Sequence, residues 1–250
     1  MIGDMVGKPG RRAVAALLPG LRRELGLDIV IGNGENAAGG NGLTWPSAEE
    51  IFAAGVDIMT SGNHIWRQRE IIPYLEEGVP IIRPLNYPPG VPGRGVFIKN
   101  GVAVLNLLGR TFLGEFDCPF RAADAALASL QQKVIIVDMH AEATSEKVAM
   151  GWYLDGRVSA VLGTHTHVPT ADARLLPKGT AYISDVGMVG PRDSVIGMER
   201  ESVLHLFLTQ MPVRFEPAKG PVSFNSVLVD IDEESGRARE IFRVDREWEP

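Results

Sequence analysis

Four of the five histidines in this chain stand among unusual neighbours: His64 in SGNHIW, His140 in VDMHAEATSEK, and His165 with His167 in GTHTHVPTAD. His205, in SVLHLFL, reads as an ordinary helix-face residue. Taken singly, each imidazole is better explained by packing or by a surface position. Taken with Asp4, Glu35, Asn36 and Asn63, all at loop starts flanked by glycine, they read as one metal site. Residues two apart point to the same side of an extended chain but not of a helix, so an extended loop end can aim His165 and His167 inward together. Imidazole, carboxylate and amide oxygen without thiolate suit manganese, iron or zinc better than the oxygen-only cages of magnesium or calcium. Seven possible ligands are too many for one tetrahedral zinc. Two metals sharing a carboxylate is the economical arrangement. Such a pair, about 3.5–4 Å apart, activates a bridging water and holds both sides of an in-line displacement at phosphorus.

Each of these motifs follows a short apolar run. Asp28–Ile31, Val56–Thr60, Val102–Leu107, Val134–Asp138, Val158–Leu162 and Tyr182–Ser184 read as buried strands, closed by Gly, Asn or Asp. Side chains at the carboxyl ends of strands in an open α/β sheet converge on one crevice. Helices are expected over Arg11–Glu24, with Pro19 kinking or splitting it, from Ser47 as N-cap to about Ala54 with Glu50 at the capping-box position, and over Arg67–Glu77, Ala122–Gln132 and Ser145–Gly156. One more is expected from about Glu201 to Gln210. Near the end, Val222–Ile231 reads as one strand that pairs through a turn at Glu234–Gly236 with Glu240–Val244. The alternation predicts an α/β layered fold with a mixed sheet or two packed sheets, a single domain over residues 1–250, and a small lobe within 190–220.

Composition narrows the function. The 250 residues carry 25 basic and 31 acidic side chains, a net charge of −6, and no basic tract, so no long duplex nucleic acid is expected as a partner. The single cysteine, Cys118, allows neither an internal disulfide nor a thiolate zinc site and fits a reducing cytoplasm. No apolar run approaches the roughly 18 residues of a membrane span, and no signal peptide is read. Gly7-Lys8-Pro9-Gly10 fails as a P-loop because only three residues separate Gly3 from Gly7 and Pro9 stands in the Ser/Thr place. Lys8 and Arg11 either contact phosphate or simply begin a solvated helix. Glu142 and Glu146 either orient a neighbouring imidazole or cap a helix. Asn86 and Tyr87 could line a substrate cleft, whereas Trp45, Trp66 and Trp152 read as packing residues.

The ordered set Gly3-Asp4, Gly34–Asn36, Gly62–His64, a strand-terminal His140 and Gly163–His167 resembles the calcineurin-like metallophosphoesterases. More narrowly, GDMVGKPGRR, NGENAAGG, SGNHIW, RPLNYPPG, DMHAEATSEK, GTHTHVPTAD and SDVGMVGP resemble the bacterial YmdB-like phosphodiesterases from Ile2 to about Gly197. The resemblance implies a four-layer α/β/β/α sandwich with two packed mixed β-sheets, a dinuclear site, and hydrolysis of small phosphodiesters such as 2′,3′-cyclic nucleotides by a metal-bridging hydroxide. It implies that Asp4, Glu35, Asn36 and His167 serve one metal, and that Glu35 bridges to a second held by Asn63, His140 and His165. His64 would donate a proton to the leaving oxygen or stabilise phosphoryl charge. The wider superfamily has a histidine two residues after the aspartate, where this chain has Asp4-Met5-Val6, and Asn36 takes its place. An oxygen donor in place of an imidazole puts iron or manganese at least level with zinc, with magnesium also open. The resemblance further implies a homo-oligomer, dimer or tetramer, and several more residues forming a first strand before Asp4. The natural chain is therefore expected to begin upstream, or this strand to be truncated.

Two other functions fit the same residues. A phosphomonoesterase could use the same metal core. A regulatory or RNA-associated binding protein with weak hydrolytic activity could use the site to organise a partner surface.

Overall fold

The computed structural model describes residues 1–250 as a mixed α/β chain with several sheets. In chain order the elements are β1 (Asp4–Met5), α1 (Gly7–Glu24), β2 (Ile31–Asn33), α2 (Trp45–Ala53), β3 (Ile58–Thr60), α3 (Ile72–Glu77), β4 (Val96–Lys99), β5 (Val102–Leu108), α4 (Pro119–Ser129), β6 (Val134–His140) and α5 (Thr144–Leu154). There follow β7 (Ala160–Thr164), β8 (Arg174–Leu175), β9 (Ala181–Ile183), β10 (Met188–Pro191), α6 (Arg200–Thr209), β11 (Val222–Phe224), β12 (Val227–Ile231), β13 (Ala238–Arg243) and β14 (Arg246–Trp248).

The largest sheet runs β4-β5-β6-β7-β9-β8, with β5, β6, β7 and β9 parallel and the two edge strands antiparallel. Its central strands are nearly continuous apolar runs, as parallel strands covered on both faces must be. A four-stranded sheet runs β1-β10-β11-β14, in which β1 and β10 are parallel with Asp4 opposite Met188. Two-stranded pairs, β2-β3 parallel and β12-β13 antiparallel, complete the set, and Ile2 bridges to Gly32 on one side and Ser226 on the other.

Three apolar clusters separate these elements. One packs α1 and α2 through Val14, Leu18, Leu21 and Ile51 onto Met5, Met59, Val189 and Phe224. The second packs α4 and α5 through Ala123, Met150 and Leu154 onto Leu105, Val137 and Val161. The third, with Ile31, Ile58, Val104, Ile136, Leu162 and Val227, lies between strands of different sheets. An apolar cavity of about 490 Å³, lined by Ile29, Ile31, Val227, Val229 and Ile231 among others, opens beside Met1.

Several boundaries differ from the expectations, each for a local reason. Helix α1 is continuous through Pro19, which removes only the bond to the Ala15 carbonyl, and Ala15 lies on the exposed face, where an unpaired carbonyl costs least. Helix α2 begins at Thr44, not Ser47: Pro46 suits the first turn, and Thr44 and Ser47 cap each other. The expected Arg67–Glu77 helix is a 3₁₀ turn, Arg69–Ile71, followed by α3, because Pro73 fixes the start of the α-helical part. Val222–Ile231 breaks at Asn225–Ser226 and feeds two different sheets.

Candidate functional site

The polar motifs converge where β1, β2, β3, β6 and β7 end. Parallel registry sets Leu108, His140 and Thr164 side by side, and the loops after β2 and β3 bring Glu35, Asn36, Asn63 and His64 opposite them. Asp4, Glu35, Asn36, His140 and His167 are buried, and Asn63, His64 and His165 are half-buried. All eight residues expected from the sequence are thus brought to one place.

Two donor groups meet across Glu35. On one side, His140 Nε2 lies 3.1 Å from Asn63 Oδ1, 3.2 Å from Glu35 Oε1 and 3.0 Å from His165 Nδ1. On the other, His167 Nε2 lies 3.6 Å from Asp4 Oδ1 and 3.1 Å from the Asn36 amide nitrogen, which is itself 3.4 Å from Glu35 Oε1. Glu35 Oε2 accepts the His64 amide at 3.0 Å.

Hydrogen bonds outside the cluster fix which imidazole nitrogen faces in. Thr164 Oγ1 donates to Asp138 at 2.7 Å, so at 2.8 Å it accepts from His140 Nδ1–H and turns Nε2 inward. His165 Nε2 faces Glu142 at 3.1 Å, turning Nδ1 inward. His167 Nδ1 donates to the Ile196 carbonyl at 2.8 Å, turning Nε2 inward. Such outer partners set tautomer and orientation in metal-binding imidazoles. His64 is the opposite case: its Nδ1–H donates to Asn36 Oδ1 at 2.7 Å, and its lone pair points away.

The electrostatics ask for a cation. Burial disfavours charge on His140, yet Glu35, Asp4 and Asp138 raise it to about 9. Burial and the neighbouring His140 push His165 down to about 3. His167 is raised because Asp4 outweighs its burial, and Asp4 is in turn lowered by His167 and His140 against the burial that would raise it. Burial lifts Asp138 to about 6. The donors fit a metal: Asp4 Oδ1 is buried without a hydrogen bond, and Glu35, His140 and His165 hold ligand atoms within 4.8 Å of one another. A side chain at Gly62 would collide with His140 Nε2 and Glu35 Oε2, so glycine keeps that space open.

His165 and His167 reach inward by a route the extended-loop expectation does not contain. The segment bends after β7, with φ of 102° at His165 and 65° at His167. Non-glycine residues rarely adopt these angles, and the cost is on the order of 1–3 kcal/mol each. A buried ion pair holds the bend: Asp185 accepts the Thr166 amide at 3.0 Å and the Lys147 ammonium at 2.6 Å.

The sequence reading missed Asn33, Asp138, Thr164, Lys147 and Asp185. Asp138 had a signal, since it lies two residues before His140 and so on the same strand face. Glu142 does touch an imidazole, whereas Glu146 accepts the Arg110 and Thr111 amides at 3.0 and 3.3 Å and caps the loop after β5. Lys8 is exposed, and Arg11 is spent on Glu50 and the Ala37 carbonyl. Asn86 is tied to Leu108 and the Asp117 carbonyl, and so shapes the loop. Trp45 stacks on Tyr74 as a packing residue, while Trp152 is half exposed beneath Arg174.

Residues 1–244 match the model of a family described as YmdB-like protein. The chain is 49% identical over 249 residues to the 2′,3′-cyclic-nucleotide 2′-phosphodiesterase of Bacillus subtilis, covering 97% of this chain and 94% of that protein. A solved structure of a hypothetical protein from Thermus thermophilus superposes with a TM-score of 0.94 at 47% identity, covering 100% of this chain and 98% of the other. A novel phosphatase from Mycoplasma pneumoniae superposes with a TM-score of 0.93 at 35% identity, covering 99% and 92%.

Proposed function

The chain belongs to the YmdB-like family, and from that premise we propose that it hydrolyses small phosphodiesters, 2′,3′-cyclic nucleotides among them, at the cluster around Glu35. It is a phosphoric ester hydrolase. The observation that carries the proposal is Glu35 standing between two sets of inward donors, His140, His165 and Asn63 on one side and Asp4, His167 and Asn36 on the other.

Asp4, Asn36 and His167 with Glu35 would hold one metal ion, Asn36 through its oxygen after its amide turns over and donates to His64 Nδ1, moving the His64 proton to Nε2, and Asn63, His140 and His165 with Glu35 would hold the other. When bound, the pair supplies Lewis acidity to the phosphoryl oxygens and makes water nucleophilic near neutral pH. The donor set, nitrogen and oxygen without sulfur, suits iron or manganese, with zinc or magnesium as the lesser options. His64 stays out of this set. Burial lowers its pKa despite Glu35, so it rests neutral, and an arriving phosphate anion would restore the proton it donates to the leaving oxygen. The strained bend at His165–His167 and the Lys147–Asp185 pair beneath it hold the imidazoles in place before substrate arrives.

The three apolar clusters support a four-layer α/β/β/α arrangement over one domain. Exposed Leu204, Phe207 and Leu208 on α6, within the 190–220 segment, support self-association there. No helix is long and apolar enough to cross a membrane, and the one free thiol, Cys118, supports a cytoplasmic setting.

The test is hydrolysis of bis-p-nitrophenyl phosphate with Mn²⁺ or Fe²⁺, alongside metal analysis. Glu35→Gln is expected to lose both metals. His64→Ala is expected to keep them while turnover falls on the order of 10²–10⁴-fold. Equal metal loss in both variants would overturn the division of roles, and a metal-loaded chain without hydrolysis would overturn the function. A phosphomonoesterase is the second reading, favoured by the phosphatase description of the Mycoplasma structure. Mono-p-nitrophenyl phosphate as the better substrate would select it.

A further inference from the structure

A second cavity, of about 360 Å³, is lined by Leu85, Tyr87, Pro89, Asp117, Arg121 and Ala122, and by Asn86, which binds Leu108 at the carboxyl end of β5, one strand over from His140. Two of the polar side chains that line it are spent. Arg83 donates to the carbonyls of Pro92 and Pro84, and Asn86 exchanges hydrogen bonds with Leu108. What the cavity offers is a ring. Tyr87 is held edge-on by Trp66, with centroids 5.6 Å apart, and by Phe116 at 5.3 Å. A ring fixed on two sides accepts a stacking partner with little loss of side-chain freedom.

Tyr87 also joins the cavity to the metal-ligand cluster. Trp66 lies two residues beyond His64 in the same turn, closed by the Arg67 amide on the His64 carbonyl at 2.9 Å. On the other flank Asn86 binds the Leu108 carbonyl, and Leu108 is in register with His140. The cavity is therefore anchored to both the loop that carries His64 and the strand next to His140. Its volume is at the lower end of small-molecule sites and suits a base with part of its sugar.

We propose that this cavity receives the nucleobase of the substrate, stacked on Tyr87, while the cyclic phosphate lies at the Glu35 cluster; the proposal rests on the phosphodiesterase function above. Because every base has a π face, a stacking platform of this kind tolerates different bases and selects nucleotides over base-free diesters.

The experiment compares 2′,3′-cyclic AMP with ethylene phosphate, a five-membered cyclic diester that lacks a base, on the metal-loaded protein. Tyr87→Ala and Tyr87→Leu are expected to lower the ratio of kcat/KM for the nucleotide to that for ethylene phosphate by about 10- to 100-fold, chiefly through KM for the nucleotide. Tyr87→Phe is expected to preserve the ratio. An unchanged ratio in both the Ala and Leu variants would overturn the proposal. Adenosine titration followed by tryptophan fluorescence, in a form whose Trp45, Trp152 and Trp248 are replaced by Phe so that Trp66 alone reports, reads the cavity without turnover. Quenching that disappears in Tyr87→Leu supports the proposal even if neither ester is cleaved, in which case only the function it rests on has failed. Absence of quenching in the unmodified chain overturns the proposal.

Discussion

His167 Nδ1 donates to the main-chain carbonyl of Ile196 at 2.8 Å, and this one bond decides that the other ring nitrogen faces Asp4. The carbonyl is aimed by an uncommon backbone: Ile196 has φ of 47°, in the left-handed region that a β-branched residue adopts only under constraint, and its side chain is half exposed. Ile196→Asn keeps the carbonyl and relieves the backbone. It is expected to raise stability by about 1 kcal/mol in urea unfolding while leaving metal affinity unchanged. A destabilised variant would show that the Ile196 side chain has a packing role of its own.

Thr164 stands between Asp138 and His140, donating to one and accepting from the other. Thr164→Val keeps the shape and loses both bonds. Manganese affinity, measured by titration calorimetry, is expected to fall about 10- to 100-fold. Thr164→Ser should recover most of it. Equal affinities in the Val and Thr forms would show that Asp138 does not act through this hydroxyl.

Asp57 fastens three elements far from the metal-ligand cluster, meeting Lys99 Nζ at 2.8 Å, Arg22 at 2.8 Å and the Val30 amide at 2.9 Å. Burial would raise its carboxyl, but Lys99, the amide and Arg22 outweigh it and hold the pKa low. A depressed carboxylate stabilises the fold above its unfolded pKa of about 3.9, and that contribution disappears as pH falls through the folded value. Asp57→Asn should therefore be less stable than the parent at pH 7, with the gap closing as pH falls from the unfolded carboxylate range toward the depressed folded value. A gap independent of pH in urea unfolding would assign the loss to packing.

That the polar side chains around Glu35 meet was legible because most of them follow strands, and a Gly, Asn or Asp after a short apolar run marks where a strand stops. Glu35, Asn63, His140 and His167 could be placed together from that pattern alone, whereas Asp4, with three residues before it, joined them through the family resemblance. The supports beneath them could not. Lys147 sits in a helix among polar residues, where lysine ordinarily means solvent, and only the fold reveals Asp185 across from it. The inward aim of His165 and His167 depends on positive φ angles that no non-glycine residue announces. Fold class came from alternating strands and helices, but the break at Asn225–Ser226 escaped because apolar alternation resumes at once after it, its phase slipped by one residue between Phe224 and Val227 as the chain passes into a different sheet.

Asp4 is the earliest of the metal-ligand candidates in the chain, yet its strand is seated on β10, opposite Met188. Closing that pairing means bringing together segments separated by most of the polypeptide, an entropic cost met late in folding. During synthesis, the candidates from Glu35 to His167 emerge before β10 exists to hold Asp4. The Asp4 position of the proposed metal site must then wait until β10 has left the ribosome, and a chain ending before Met188 should lack it.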